Sequence, residues 1–339
     1  MAKSVKLADI AEVVGVSIVT VSKALSDKPG VGAEMREKIK NTAKNMGYVP
    51  LCSVTTIRAG LTGNVGVVIP KRFVDSNSFY WEMYKRLVNS LKYHGYYAIL
   101  ELLDADAELA EEYPEIIKDR KVDGVIVLGQ ADNAYIDFIR GNLDVPVMCL
   151  DFYNAENEFD TVISDSFYGM YMLTNHLINM GHREIGFIGT VLATSSITDR
   201  YFGYCKAMME HGLTVEKKWV IDDRPLCFDK KPAEVDVELP ETLPSAFACN
   251  CDEVAYMLIN KLKERGLDVP DDVSVVGYDN YAFPDSTALP LTTYAVGMRK
   301  MADTCVDTMI KKINGEAYYK GVQIITGHMV MRDSVKKIR

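Results

Sequence analysis

The strongest constraint on the fold of this 339-residue chain is a series of short apolar runs separated by helix-length segments. VGVVIP (65–70), YYAILEL, DGVIVLG (123–129) and VPVMCLD (145–151) come first, and EIGFIG, SAFACN and DVSVVGYDN continue the series. A run that is apolar at consecutive positions, not every second one, suits a strand covered on both faces, which is the condition of a parallel sheet. The segments between the runs read as helices, at 79–95, 109–118, near 135–140, 168–180, 198–211 and 252–265. This alternation predicts a doubly wound parallel α/β sheet, and its division into two series predicts two lobes around a shared cleft. The strand Val162–Ser164 is taken to open the second lobe, and helix Met298–Ile313 with strand Val322–Thr326 to return to the first. Lobe one is therefore expected at about 64–161 and 293–327, and lobe two at about 162–292 and 328–339.

The first fifty residues follow a different period. In KLADIAEVVGVSIVTVSKAL (6–25), Leu7, Ile10, Ala11 and Val14 line one face of a short helix. Gly15 suits the left-handed residue that ends a helix, and Ser17 suits the cap of a second helix that packs through Val21 and Leu25. A third helix fits 33–46, with Met35, Ile39, Ala43 and Met46 as its stripe, before Gly47 and an extended Tyr48-Val49-Pro50. Two helices joined by a tight glycine turn form a helix-turn-helix, whose second helix enters the major groove of DNA; the plain alternative is an ordinary helical hairpin. Three such helices make too small a core for much stability alone, so residues 1–50 read as an all-α DNA-reading head. A linker at 51–63 and a two-lobed α/β body at 64–339 complete the organisation.

Charge supports the division. The chain carries a net −9. Residues 1–60 hold nine Lys/Arg against five acids, a net of +4, which leaves −13 for the remainder. A basic head on an acidic body is the footprint of local phosphate contact. The N-terminus shows no export signal, and no apolar run reaches the roughly 20 residues needed to span a bilayer. Seven scattered cysteines fit reduced cytosolic thiols better than a disulfide frame. No metal or cofactor is expected, since Cys249-x-Cys251 offers two ligands without partners at finger-like spacing. The five histidines fall at helix ends or in loops, where they read as surface residues or caps; His182 follows Gly181 at a helix end.

DIAEVVGVSIVTVSKALSDKPGV, MREKI and GYVP, in that order, resemble the head of the LacI/GalR (lactose-repressor/galactose-repressor) family of bacterial transcription regulators. The resemblance continues through IPKRFVDSNSFYWEM, the run from Asp165 to Gly189, SSITDRYFGY, CNCDEVAYML and SVVGYDNY, which are similar to that family's periplasmic-binding-protein-like core. It implies a cytoplasmic homodimeric repressor that binds double-stranded operator DNA under the control of a small effector, a sugar or sugar derivative. It also implies DNA-contacting positions at Lys6, Ser17, Ile18, Val19, Thr20, Ser22 and Lys23. Ile18 and Val19 would meet thymine methyls, and Lys23 stands where relatives often carry arginine, so a different operator preference is expected.

The resembled linker forms a short hinge helix that enters the minor groove. Here Val54, Ile57 and Arg58 occupy it, with Ile57 as the apolar wedge. The asparagine that usually follows Pro50 is Leu51, and Val54 to Ile57 are all β-branched. Low helix propensity predicts a hinge that orders only on DNA; a plain tether is the alternative.

For the effector the resemblance carries over Asp165, Arg200 and Asp279, with Ser196 beside them. Carboxylates accept from sugar hydroxyls, a guanidinium forks onto hydroxyls or a carboxylate, and an aromatic covers the apolar ring face. One of Phe79, Tyr80 and Trp81 is expected to give that cover, the others being core. Cys251 replaces a usual asparagine, a role left to Asn250. Lys71 and Arg72 suggest either an anionic effector or solvated loop charges. The other residues have plain alternatives too: Asp165 as a helix cap, Asp279 as a turn cap, Arg200 as a surface partner of Asp199 or Glu210. A periplasmic-type solute-binding protein would lack the head. An α/β enzyme would need a nucleophile elbow or phosphate loop, and neither string occurs.

Overall fold

The computed structural model describes residues 5–25, 29–46, 48, 60–74, 78–153, 159–225, 236–281 and 289–338. It divides into two units, residues 1–63 and 64–339.

In the first unit, α1 (Leu7–Val14), α2 (Ile18–Leu25) and α3 (Ala33–Asn45) close around Ile10, Val21, Ala24 and Ile39. Gly15 ends α1 at φ 78°, a left-handed backbone that favours glycine, and its N–H donates to Ala11 O. Ser17 caps α2, its hydroxyl accepting from Thr20 N at 3.1 Å. Ala24 is fully buried where Leu25 is half-buried, so α2 is rotated slightly from the expected Val21/Leu25 face.

The second unit runs β1 (Asn64–Pro70), α4 (Ser78–Tyr93), β2 (Tyr97–Leu103), α5 (Ala105–Leu109), α6 (Glu115–Lys118), β3 (Val125–Leu128), α7 (Asn133–Asn142), β4 (Val147–Leu150) and β5 (Asp160–Ser164). There follow α8 (Ser166–Asn179), β6 (Ile185–Ile188), α9 (Ser195–Glu210), β7 (Val220–Ile221), β8 (Ala246–Cys249), α10 (Asp252–Glu264), β9 (Ser274–Val276), β10 (Thr293–Ala295), α11 (Met298–Asn314), β11 (Val322–Ile325) and β12 (His328–Val330). Six parallel strands in the order β11-β5-β4-β3-β1-β2 form one sheet, and β7-β6-β8-β9 form a second, also parallel. β1, β3 and β4 are buried along nearly their whole length, as their unbroken apolar sequence requires.

Two lobe boundaries move. β5, expected to open lobe two, pairs with β4 and β11 in the first sheet. β10, expected in lobe one, pairs antiparallel with β12, and Thr292 and Ala295 bridge to Val276 and Asp279 beside β9. An apolar strand carries no mark of which open sheet edge will satisfy its backbone groups, so local sequence leaves this assignment open. The helix expected over 109–118 is instead two short ones, because Glu111 turns to φ 52° and Pro114 caps α6 rather than continuing α5. The tail then binds lobe two: Ser334 Oγ accepts from Thr292 N at 2.8 Å and donates to Val275 O at 2.6 Å.

Among the described residues no helix is long and apolar enough to cross a membrane. Cys149, Cys205, Cys249, Cys251 and Cys305 are free thiols. His182 is not a surface residue. It is buried, with Nδ1 2.9 Å from Ser245 Oγ and Nε2 3.1 Å from Lys336 O, linking lobe two to the tail; burial lowers its pKa.

Candidate DNA-reading helix and effector cleft

On α2, burial of Val21 and Ala24 turns the opposite face outward. Ile18 is 51 % and Val19 63 % exposed, although neither has polar atoms in its side chain. Lys6, Ser17, Ser22 and Lys23 are exposed as well, and Thr20 is half-buried, its hydroxyl 2.9 Å from Ser17 Oγ. An exposed apolar pair flanked by hydroxyls and a cation is the composition a helix needs to meet thymine methyls and phosphates. Arg36 has a role that the sequence reading missed. Its Nη1 donates to Ala24 O at 3.3 Å and Lys23 O at 3.4 Å, and its Nη2 to Val31 O at 3.3 Å, so α3 holds the C-terminal carbonyls of α2 and the segment that leads into α3. Val54, Ile57 and Arg58 lie outside the described residues, as do Cys52 and Cys227.

The cleft forms where the carboxyl ends of the two sheets face one another, the expected place for a ligand in open α/β sheets. Arg200, on α9, is buried and does not pair with Asp199 or Glu210. Its Nη1 donates to Asn250 O at 2.7 Å and its Nη2 to Asp279 Oδ1 at 3.3 Å. The guanidinium carbon lies 3.9 Å from the centre of the Tyr278 ring, a cation–π stack. The fork is therefore turned onto the protein itself, and Nε is left buried without a partner.

Asp279 follows β9 at φ 105°, and Asp151 follows β4 at φ 71°. Each is a carboxylate on a left-handed backbone just past the end of a buried strand, one in each lobe, and both are themselves buried. Burial pushes Asp279 up to about 7, with Arg200 opposing and Asp151 adding to the rise. Burial likewise pushes Asp151 to about 6, against the pull of Arg200 and a hydrogen bond from Tyr80. Burial works against the charge on Arg200, yet Asp279, Tyr278 and Asp151 together hold its pKa above the ordinary arginine value. Asp151 was not among the residues singled out from the sequence. Its signal was there: it closes VPVMCLD as Asp279 closes SVVGYD.

Of the aromatic triplet, Tyr80 reaches this group, its hydroxyl donating to Asp151 Oδ2 at 3.0 Å. Phe79 lies in the core of lobe one, and Trp81 is 37 % exposed against Tyr84. Asp165 caps α8, its carboxylate accepting from Tyr168 N at 3.3 Å, and is half-buried. Ser196 lies at the seam, its hydroxyl 3.0 Å from Thr194 Oγ1. Asn250 does not offer its amide: Nδ2 donates to Ile188 O at 3.1 Å and Asp223 Oδ2 at 2.9 Å, so what faces Arg200 is its backbone carbonyl. Lys71 pairs with Asp104 at 3.2 Å, and Arg72 forks onto Glu108 at 2.5 and 3.1 Å, so both loop cations are engaged within lobe one. Bonds that cross the seam run from Tyr153 Oη to Asp199 Oδ1 at 2.8 Å, from Tyr153 N to Ser195 Oγ at 3.4 Å and from Ser195 N to Gln130 Oε1 at 3.2 Å.

Residues 6–50 match the family model for bacterial regulatory proteins of the lacI family, and residues 174–335 match that of the periplasmic binding protein-like domain. The HTH-type transcriptional repressor PurR of Vibrio campbellii is 26 % identical over 331 residues, 97 % of this chain and 98 % of that protein. Among solved structures, the lac repressor dimer bound to operator and the anti-inducer ONPF superposes with a TM-score of 0.73 at 21 % identity, covering 98 % of this chain and all of the other. The complex of the transcriptional regulator CelR with cellobiose superposes at 0.68 and 22 % identity, covering 97 % and 99 %. Residues 6–50 thus carry the head of the lacI family of bacterial regulatory proteins, and the relatives matched along nearly the whole chain are transcriptional repressors.

Proposed function

We propose that the protein is a cytoplasmic homodimeric repressor whose hold on a near-palindromic operator is set by a small polyhydroxylated effector bound between the lobes. The observation that carries this reading is that the Arg200–Asp279 pair of lobe two and the Tyr80–Asp151 pair of lobe one both stand just past the ends of buried strands, at a seam that Tyr153 and Asp199 bridge at 2.8 Å. A ligand that touches both strand ends binds the two lobe arrangements unequally. Its influence on DNA binding is limited to that difference in affinity. In the head, Ile18, Val19 and Lys23 read base edges while Lys6, Ser17, Thr20 and Ser22 position the helix on phosphates. A two-fold dimer presents two such helices, one for each half-site about one helical turn apart. The relatives fit the reading in their own names: one is a lac repressor on its operator, another a regulator with cellobiose.

Gel retardation on a randomised duplex pool, followed by thermal-shift screening of sugars and their derivatives, tests it. A duplex should be enriched, and a ligand bound by the native state should raise its melting midpoint. Lys23→Ala should weaken DNA retention while preserving the ligand shift, and Arg200→Ala should abolish the ligand shift. A chain that enriches no duplex sinks the reading.

A further inference from the structure

The helix α2 is only eight residues long, and its own packing gives it little purchase on the head. Val21 and Ala24 are its fully buried side chains, three positions apart and both small, with Leu25 half-buried beside them. Such a set keeps the helix in place but offers a short lever against rotation about its own axis. A helix with its side chains is about 10–12 Å across, so a roll of about 15° carries an outward-facing side chain roughly 1.5 Å sideways. A recognition site has to be held within about 0.5 Å and about 10–20° of its working geometry. Something besides the core must therefore fix the roll of α2.

The two ends of the helix supply the fixing points. At its start, Ser17 Oγ accepts from Thr20 N at 3.1 Å, and Val16 N donates to Ala11 O of α1, also at 3.1 Å. At its end, the last four carbonyls have no partner within the helix. Two of them, Lys23 O and Ala24 O, accept from Nη1 of Arg36 at 3.4 and 3.3 Å, while Nη2 of the same guanidinium donates to Val31 O at 3.3 Å. Arg36 is half-buried and stands one turn before Ile39, which is fully buried in the head's core, so the fork has a rigid base on α3. One planar group thus pins both the end of α2 and the segment that enters α3. Lys23 is held on a second side as well. Its Nζ lies against the turn at Gly30 (φ 98°), 3.8 Å from where a side-chain carbon of residue 30 would stand.

We infer that Arg36 is a positioning residue for DNA reading: its fork sets the roll of α2, and with it the placement of Ile18, Val19 and Lys23, without itself touching the duplex. Both of its terminal nitrogens are occupied by carbonyls of the head, so the guanidinium is not set out to fork onto a phosphate. The inference rests on the assignment of α2 as the DNA-reading helix.

The test uses the full-length protein, the duplex it enriches from a randomised pool, and variants of that duplex altered at one base pair each. Arg36→Met keeps the length and apolar stem of the side chain and removes the fork. It should lower discrimination against the altered duplexes by about fivefold or more, the smaller end of what one base-edge pair contributes. The slope of affinity against salt should stay as it is, since no phosphate contact is lost. A slope reduced by about one, with all duplexes weakened alike, makes Arg36 a phosphate contact and overturns the inference. So does a uniform loss that follows the loss of helix signal with discrimination kept, because Arg36 would then serve only the stability of the head. Arg36→Lys keeps a charge at the end of α2 but not the fork, and should recover the helix signal without recovering discrimination. Full recovery of discrimination, or a head unfolded in both variants, sinks the role of the fork. If the unaltered chain enriches no duplex, the assignment of α2 falls and this inference with it; enrichment by the unaltered chain with discrimination unchanged in Arg36→Met sinks only the role of Arg36.

Discussion

On α2, Ile18 and Val19 stand in solvent at 51 % and 63 % exposure; in the cleft, Arg200 is 5 % exposed and its guanidinium is held by Asp279, Asn250 O and the Tyr278 ring. As the proposed recognition surfaces for DNA and effector, the two solve opposite problems. A duplex is too large to be engulfed, so the helix that reads it must display its side chains before contact, and its contacts stay open to water and salt. A small ligand can be enclosed, so the groups that hold it can be buried. There each charge needs a partner, because a buried ion left alone is costly. The head's surface can therefore be altered with little effect on folding, whereas alteration of the cleft disturbs the body's own stability.

The largest expected effect tests that coupling. Arg200→Ala leaves Asp279 buried without the guanidinium it pairs with, and should destabilise the body by about 4 kcal/mol in denaturant unfolding while leaving the head's helices unchanged. If the loss were under about 1 kcal/mol, the guanidinium would not be the keystone described here. The reverse experiment is Ile10→Ala. Ile10 is fully buried in a core of three short helices, so truncation should cost about 3 kcal/mol. It should melt the head selectively, seen as loss of helix signal and DNA retention with the body's transition unmoved.

A third effect is on the pH dependence. The pKa of Asp279 rises from 3.8 unfolded to about 7 folded, so the folded body binds this proton more tightly than the unfolded chain does. Its contribution to stability is therefore fully present below about pH 4, is lost as pH rises to about 7, and is flat beyond. The size is a few kcal/mol, at about 1.4 kcal/mol per pKa unit, and Asp279→Asn should flatten that part of the profile. The smallest effect falls on the displayed surface. Lys23→Ala should lower operator affinity by about 1 kcal/mol and reduce the salt slope by about one, with no change in the unfolding midpoint. A drop in stability from Lys23→Ala would mean that the two surfaces differ less than exposure suggests.

How far each region could be read in advance follows the same division. The head was legible almost residue by residue, because Ile10, Ala11, Val14, Ile39 and Ala43 make their contacts within short helices of fixed period. In the cleft, Arg200 and Asp279 were found through resemblance and Asp151 was overlooked, since their meeting depends on the ends of β4 and β9, 125 or more residues apart in the chain. Tyr80, Phe79 and Trp81 sit on consecutive positions of one helix, and only packing separates the one that reaches Asp151 from the one in the core and the one at the surface.

The order of residues alone determined the helix period of the head, the unbroken apolar strands and hence the parallel α/β class, and the basic-to-acidic division of charge, because each depends on neighbours within a few residues. Tertiary structure alone decided that β5 joins the first sheet, that the fork of Arg200 turns inward onto Asn250 and Asp279, and that Tyr80 reaches Asp151. Strand pairing and charge compensation are made between distant segments, where backbone groups and buried ions take whichever partners the closed fold brings near.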